Sequence, residues 1–272
     1  VIQLNPGNAQ AQFEKGRTLH ATGDPTSAIA AYDAAIRIDG GHARSWKWKG
    51  RALAELRRVD EAVACYDQAL QREAGDAELW TFKGQALVEK GEGDTALQCF
   101  DRAIAIERKN PVAWLAKGRV LQARGSNEEA ASCFDAAVEA GDATAEPFVL
   151  KARSMRTLGR DADAVEAMNR AIRVQSGDAK LYFELGEIHR SMGAFKDAEK
   201  AFGRAVEVDR AFSDAWRAKG ESLFAQSRFK EALSDYEKAI ELKADYADAW
   251  SSKAESLNKA GRKAEAKEAY AK

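Results

Sequence analysis

The sequence predicts an all-α protein built from repeated helical hairpins, and three columns of residues lead to this prediction. A large aromatic residue recurs every 34 positions, at Trp46, Trp80, Trp114, Phe148, Tyr182, Trp216 and Trp250. Four positions after each aromatic stands a small residue, namely Gly50, Gly84, Gly118, Ala152, Gly186, Gly220 and Ala254. Twelve positions further on stands an alanine, namely Ala62, Ala96, Ala130, Ala164, Ala198, Ala232 and Ala266. A period of this length is typical of arrays in which each repeat buries its apolar face against its neighbours.

Within each repeat the pattern predicts two helices joined by a short turn. Residues 77–90 and 94–107 both carry apolar side chains at helical spacing. Gly91 lies between them, and glycine adopts the left-handed conformation that ends a helix at little cost. Arg57 and Ser227 replace this glycine in two repeats, so we expect those two turns to be less well capped.

The alternation of small and large residues predicts how the two helices pack. Large side chains such as Tyr66 and Phe100 recur twenty positions after the first aromatic. A glycine on the first helix would let the two backbones approach, and the aromatic ring of the second would fill the remaining volume. A lysine precedes most of these glycines, and we expect its stem to lie on apolar surface with its ammonium group in water.

Composition excludes several classes of protein. Lys plus Arg number 42 and Asp plus Glu 43 in 272 residues, which gives a net charge of −1. A dedicated nucleic-acid binder is normally basic, so no nucleic-acid partner is expected. We find no apolar run long enough for a membrane span and no apolar core of a signal peptide, and we therefore expect a cytoplasmic protein with no membrane partner.

With the tryptophan, glycine, alanine and aromatic columns at these offsets, the chain resembles the tetratricopeptide repeat (TPR) family. The resemblance covers essentially the whole sequence and implies a right-handed superhelical solenoid. One feature departs from the family pattern, because the proline that closes each repeat survives only as Pro6.

The period places the repeat boundaries and predicts a single array over residues 1–272. Residues 1–8 match the end of a preceding repeat, and residues 247–272 form a partial repeat. The full repeats are 9–42, 43–76, 77–110, 111–144, 145–178, 179–212 and 213–246. We therefore expect a fragment of a longer array, with weak self-association through its uncapped ends.

No residue pattern indicates catalysis, a metal site or a cofactor. Cys65, Cys99 and Cys133 occupy one repeat position, and equivalent positions in stacked repeats lie too far apart for a disulfide. The three histidines, His20, His42 and His189, have no neighbouring ligands at metal-binding spacing. The sequence therefore predicts a non-enzymatic protein.

The TPR resemblance implies that first helices line a concave groove, with positions 2, 5, 6 and 9 of each repeat facing a ligand. Over these positions the first five repeats hold six basic and three acidic residues, whereas the last three hold two basic and six acidic. The candidate groove residues are Phe13, Arg17, Arg44, Lys47, Trp48, Arg51, Phe82, Gln85, Leu115, Arg119, Leu150, Arg153, Glu187 and Glu221.

This charge gradient favours a scaffold that binds a protein or peptide segment. The acidic part of the ligand would meet the arginines, its apolar side chains the middle repeats, and its basic part the acidic end. The competing interpretation is that the charges pair locally, as Arg51 could with Glu55 one turn away. Lys47, Arg51, Phe82 and Val112 do not match the residues with which chaperone-binding TPR proteins grip a C-terminal carboxylate, so that ligand is not expected.

Two other functions remain open at this point. The chain could be the substrate- or partner-recruiting region of a larger enzyme whose catalytic domain lies outside this sequence. Recognition of RNA by a helical repeat array would need a basic groove throughout, and the acidic last three repeats argue against it.

Overall fold

The computed structural model describes residues 7–272, and every regular element in that part of the chain is an α-helix. The first eight helices are α1 (Ala9–Ala21), α2 (Pro25–Ile38), α3 (Ala43–Glu55), α4 (Val59–Leu70), α5 (Ala77–Glu89), α6 (Gly93–Ile106), α7 (Pro111–Ala123) and α8 (Asn127–Glu139). The next eight are α9 (Glu146–Thr157), α10 (Asp161–Val174), α11 (Ala179–Ser191), α12 (Phe195–Val208), α13 (Ser213–Ala225), α14 (Phe229–Leu242), α15 (Ala247–Lys259) and α16 (Lys263–Ala269). The predicted all-α fold of helix-turn-helix repeats is confirmed.

The helices form two compact units, Val1–Asp142 and Ala143–Lys272. In each unit an odd-numbered helix packs antiparallel against the even-numbered helix that follows it, as the first and second helices of one repeat. The single array over residues 1–272 stays a prediction, and so does the match of residues 1–8 to the end of a preceding repeat, of which residues 1–6 lie outside the described residues. No helix in the described part of the chain is both long enough and apolar enough to cross a membrane.

Local chemistry explains where the helices begin and end. The carboxylate of Asp76 accepts a hydrogen bond from the backbone N–H of Leu79 at 3.0 Å, which caps the start of α5. Gly91 follows the end of α5 with a φ of 85°, the left-handed conformation predicted for this slot. Arg57 and Ser227 adopt the same conformation, with φ values of 60° and 61°. The backbone therefore makes the same turn in those two repeats at a conformational cost that glycine avoids.

The core repeats the predicted small-to-large contact between paired helices. A Cβ atom placed on Gly84 would lie 2.5 Å from the Phe100 ring, closer than such atoms can approach. Glycines 16, 50, 118, 186 and 220 meet the ring of their own repeat in the same way. In the fifth repeat the small residue is Ala152, and its partner position holds the flexible Met168 instead of an aromatic. The repeat that carries an extra methyl group on its first helix is thus also the repeat whose second helix has a flexible, non-aromatic side chain opposite it.

Successive repeats are joined by a second, polar contact. The indole Nε1 of Trp80 donates a hydrogen bond to the carbonyl oxygen of Ala74 at 2.9 Å. Trp46, Trp114, Trp216 and Trp250 donate to the equivalent carbonyls of Gly40, Arg108, Arg210 and Ala244. These carbonyls belong to the residues that stand in place of the family's closing proline. Phe148 and Tyr182 have no indole N–H and cannot make this bond.

The lysine that precedes the glycine does more than shield apolar surface. Lys83 Nζ lies 2.6 Å from Asp67 Oδ1 in the preceding repeat and 5.6 Å from the centroid of the Trp80 ring. Lys49 and Lys117 form the same carboxylate and ring contacts. Each of these ammonium groups is therefore paired with an exposed carboxylate across a repeat boundary, an ion pair that the sequence pattern did not predict.

Asp235 is an exception that the periodicity did not predict. It occupies the slot of Cys65, Cys99 and Cys133 and is only 5% exposed. Its Oδ1 accepts a hydrogen bond from Lys219 Nζ at 3.0 Å, whereas its Oδ2 has no partner among the described residues. Burial raises the pKa of this carboxyl above its usual value. Lys219 takes this partner because Gly203 replaces the aspartate that the preceding repeat would otherwise supply.

Candidate functional site

The candidate site in the first unit is the face of α1, α3, α5 and α7 that carries positions 2, 5, 6 and 9; we call this face the first-helix wall. Positions three and four apart lie on one side of a helix. Contacts between neighbouring first helices show that the wall is continuous within this unit. Arg44 Nη2 donates to Gln10 Oε1 at 3.1 Å, and Lys47 Nζ pairs with Glu78 Oε2 at 2.6 Å.

Arg51 and Trp48 form the centre of this wall. The guanidinium carbon of Arg51 lies 4.4 Å from the Trp48 ring centroid and 5.1 Å from that of Phe82. The guanidinium carbon of Arg17 lies 5.2 Å from the same Trp48 ring. Cation–π contacts of this kind hold a guanidinium by its flat face and leave its N–H edge available.

The ion pair suggested between Arg51 and Glu55 does not form. Glu55 Oε2 instead lies 2.8 Å from His20 Nε2. Arg51 consequently has no carboxylate partner in the part of the chain that the structure describes. By contrast, Lys47 is neutralised by two carboxylates, those of Asp76 and Glu78.

A cavity of about 610 Å³ opens between α5 and α7. Three of the predicted groove residues line it: Gln85, Leu115 and Arg119. Val88 and Val112 add exposed apolar surface, with Val112 51% exposed. The volume lies in the range of small-ligand sites and suits one large apolar side chain of a peptide.

Sequence reasoning missed part of this cavity. Val88, Glu89 and Arg124 lie on its rim although they occupy positions outside the four groove columns. Val88 gives the clearest signal, since it is an exposed valine on the same helix face as Gln85, three residues earlier. The groove columns alone could not identify it.

Phe13 differs from the other predicted groove residues because it is buried. It is 2% exposed and packs on Tyr32 and His42, with ring centroids 6.0 and 5.3 Å away. Arg44 covers it at 5.5 Å from the ring centroid. Phe13 therefore supports the wall from within and cannot contact a ligand directly.

In the second unit three of the six acidic residues that the last three repeats carry at these positions are paired with arginines. Glu184 accepts two hydrogen bonds from Arg153, at 2.6 and 3.3 Å. Arg190 donates to Glu187 at 2.6 Å and to Glu221 at 3.2 Å. Arg217 also donates to Glu221. Leu150, also predicted for the groove, lies on α9 and is half-buried. Glu184, Glu187 and Glu221 thus form ion pairs within and between first helices, and the negative charge of these three carboxylates is compensated locally.

The three cysteines are free thiols buried in separate repeats. Burial raises the pKa of the Cys65 thiol to about 11, and it also raises the pKa of Cys99 and Cys133. Since the thiolate is the reactive form, these side chains act as small core residues. Their repeat slot faces the core, away from the wall.

The repeat geometry agrees with the comparison against known families. The tetratricopeptide repeat family matches residues 19–86, 85–146, 115–179, 149–215, 183–247 and 217–272, which together span most of the chain. The chain belongs to the TPR family. TPR repeats support its assignment as a protein-interaction scaffold. None of the curated proteins compared with it matches significantly.

Solved TPR structures share the fold at low sequence identity. YrrB, described as a TPR protein with an unusual peptide-binding site, is 22% identical with a TM-score of 0.58, over 68% of this chain and 95% of YrrB. The C-terminal part of a TPR protein from Cytophaga hutchinsonii is 12% identical with a TM-score of 0.78, over 88% and 98% of the two chains. A TPR protein from Parabacteroides merdae is 17% identical with a TM-score of 0.62, over 92% and 99%.

Proposed function

We propose that this TPR protein binds a peptide segment of a partner protein on the first-helix wall of its first unit. The cavity between α5 and α7 carries the proposal, because it offers an apolar recess beside exposed cationic side chains. An apolar side chain of the peptide enters the recess, and Arg51, which has no carboxylate partner among the described residues, attracts an acidic residue. The peptide-binding site of YrrB, which shares the fold, is consistent with this use.

The proposed ligand does not include the basic segment that the sequence analysis expected. A basic segment would need free carboxylates in the second unit, but three of the six acidic wall residues in the last three repeats, Glu184, Glu187 and Glu221, already pair with arginines. Breaking these ion pairs would cost about as much free energy as new ion pairs with a basic ligand would contribute. Recruitment by a larger enzyme, the alternative from the sequence, would use the same wall and stays a prediction.

A random dodecapeptide display library tests the proposal against the full chain. Selected peptides should share a large apolar residue, and the Val112→Glu variant should bind them at least tenfold more weakly because it places a charge in the recess. Val174→Glu is the matched control, since Val174 is 48% exposed but lies on a second helix of the other unit. Circular dichroism verifies that both variants stay folded.

Two results would refute peptide binding at this cavity. One is a selection that enriches no peptide above an unrelated helical repeat protein. The other is equal binding of the selected peptides by the Val112→Glu variant and the unaltered chain.

A further inference from the structure

The Trp48 cluster, which consists of Arg17, Trp48, Arg51 and Phe82, contains two arginines and no carboxylate. The acidic groups around it are engaged elsewhere. Glu55 pairs with His20 at 2.8 Å, and Glu14 accepts a hydrogen bond from Gln10 at 2.7 Å. Glu14 remains 3.6 Å from Arg17, a long ion pair between exposed side chains that contributes little.

The aromatic rings fix the orientation of Arg51. Its guanidinium contacts Trp48 and Phe82 on two successive first helices, α3 and α5. A stacked guanidinium loses less conformational entropy when it binds, and its N–H edge matches the two oxygens of a carboxylate. Arg51 is thus preorganised for an acceptor that the described residues do not provide.

Tyr32 lies beneath this cluster. Its hydroxyl is buried and has no hydrogen-bond partner among the described residues. Burial raises the pKa of Tyr32 to about 12; the charges of Arg17 and Arg51 act in the opposite direction, and those of Glu55 and Glu14 in the same direction. Because Tyr32 is fully buried, the side chains that a ligand can reach in this cluster are the two arginines.

We infer that the Trp48 cluster is a subsite for one carboxylate side chain of the peptide, bound edge-on by Arg51 with Arg17 beside it. This inference rests on the proposed function and specifies the ligand: a peptide with an Asp or Glu at a fixed distance from the apolar residue that fills the α5–α7 cavity.

The spacing follows from the helix positions. Arg51 lies over Phe82, and Gln85, one turn further along α5, lines the cavity. Adjacent helix axes lie about 8–10 Å apart and three residues of helix rise about 4.5 Å, which puts the subsite and the recess roughly 9–11 Å apart. An extended peptide advances about 3.3 Å per residue, so the acidic and apolar side chains are about three positions apart.

The dodecapeptide selection described above tests this ligand when it is followed by a double-mutant cycle. A selected peptide and its Glu→Gln counterpart are titrated by fluorescence anisotropy against the full chain and against Arg51→Gln. We expect Arg51→Gln to weaken the acidic peptide about tenfold or more and to leave the Glu→Gln peptide nearly unchanged. Arg102→Gln, which removes an exposed arginine on the second helix α6, is the matched control and should change neither titration.

The outcomes separate the two proposals. Selected peptides that share an apolar residue but no acidic one would overturn the carboxylate subsite and leave peptide binding intact. Equal losses for both peptides with Arg51→Gln would also overturn the subsite. A selection that enriches no peptide, or one whose peptides tolerate Val112→Glu, would overturn the proposed function and the subsite with it.

Discussion

At the scale of single residues, the repeat alignment shows which side chains depart from their column and at what cost. Ser227 holds a left-handed conformation in which six other repeats use glycine. Arg57 adopts the same conformation, but its side chain also forms an exposed ion pair with Glu89 at 3.0 Å. A substitution of Arg57 would therefore change both the backbone strain and this ion pair. Ser227 is therefore the cleaner position to test.

Ser227→Gly should stabilise the protein by about 1 kcal/mol, because it removes the steric penalty of a side chain in the left-handed conformation. Urea unfolding followed by circular dichroism measures the change in the midpoint. The control is Gly125→Ala, which introduces a side chain at the equivalent turn and should lower the midpoint. A Ser227→Gly variant less stable than the unaltered chain would show that the turn does not limit stability.

Residue columns predict such turns well because the backbone conformation depends on a few local positions. They did not predict Asp235, since a buried carboxylate is acceptable only where a cation reaches it. That cation is Lys219, which is available because the acidic partner of the preceding repeat is missing at Gly203. The pairing of Asp235 with Lys219 depends on three residues on three different helices, and it can be recognised only from the positions of their side chains in the structure.

At the scale of helices, the contact between Gly84 and Phe100 determines how closely α5 and α6 approach. Every glycine in this column faces an aromatic ring at a distance that excludes a Cβ atom. In the fifth repeat Ala152 and Met168 occupy the positions of this glycine and this aromatic residue. Methionine is flexible and adapts to an irregular space, which explains why it accompanies the larger residue.

This substitution pattern predicts a rescue. Gly84→Ala should destabilise the protein by about 1–3 kcal/mol, because the methyl group overlaps the Phe100 ring. Adding Phe100→Met should recover part of that loss, although Phe100→Met alone is destabilising. Thermal unfolding of the two single variants and the double variant gives the coupling free energy. Additive losses would mean that the two positions do not share the space between α5 and α6.

The sequence predicted these helices and their packing partners, but it predicted the candidate site only in part. The groove columns placed Gln85, Leu115 and Arg119 on one face, and the three residues line one cavity; their contact with a ligand stays a prediction. They could not reveal that Phe13 is buried or that Glu187 and Glu221 are paired. Both facts depend on which long side chains reach across from the next helix, and a column of residue types does not contain that information.

At the scale of the whole molecule, the tryptophan bonds and lysine pairs between repeats suggest that stability is distributed locally. Within each unit a repeat contacts its neighbouring repeats, so a substitution at one boundary should weaken the adjacent helices and leave distant helices unchanged. Trp80 and Trp250 make the same 2.9 Å bond to a preceding carbonyl in different units. They provide a matched pair for testing this view.

Trp80→Phe removes one interrepeat hydrogen bond and keeps an aromatic ring, a replacement that Phe148 already makes in the fifth repeat. The loss of about 1 kcal/mol should reduce hydrogen-exchange protection in α3–α6 and leave α13–α16 unchanged. Trp250→Phe should give the reverse pattern, with reduced protection in α13–α16 alone. Mass spectrometry of native-state exchange distinguishes the two, and an equal fall in protection across both units for either variant would show that the chain opens as one cooperative body.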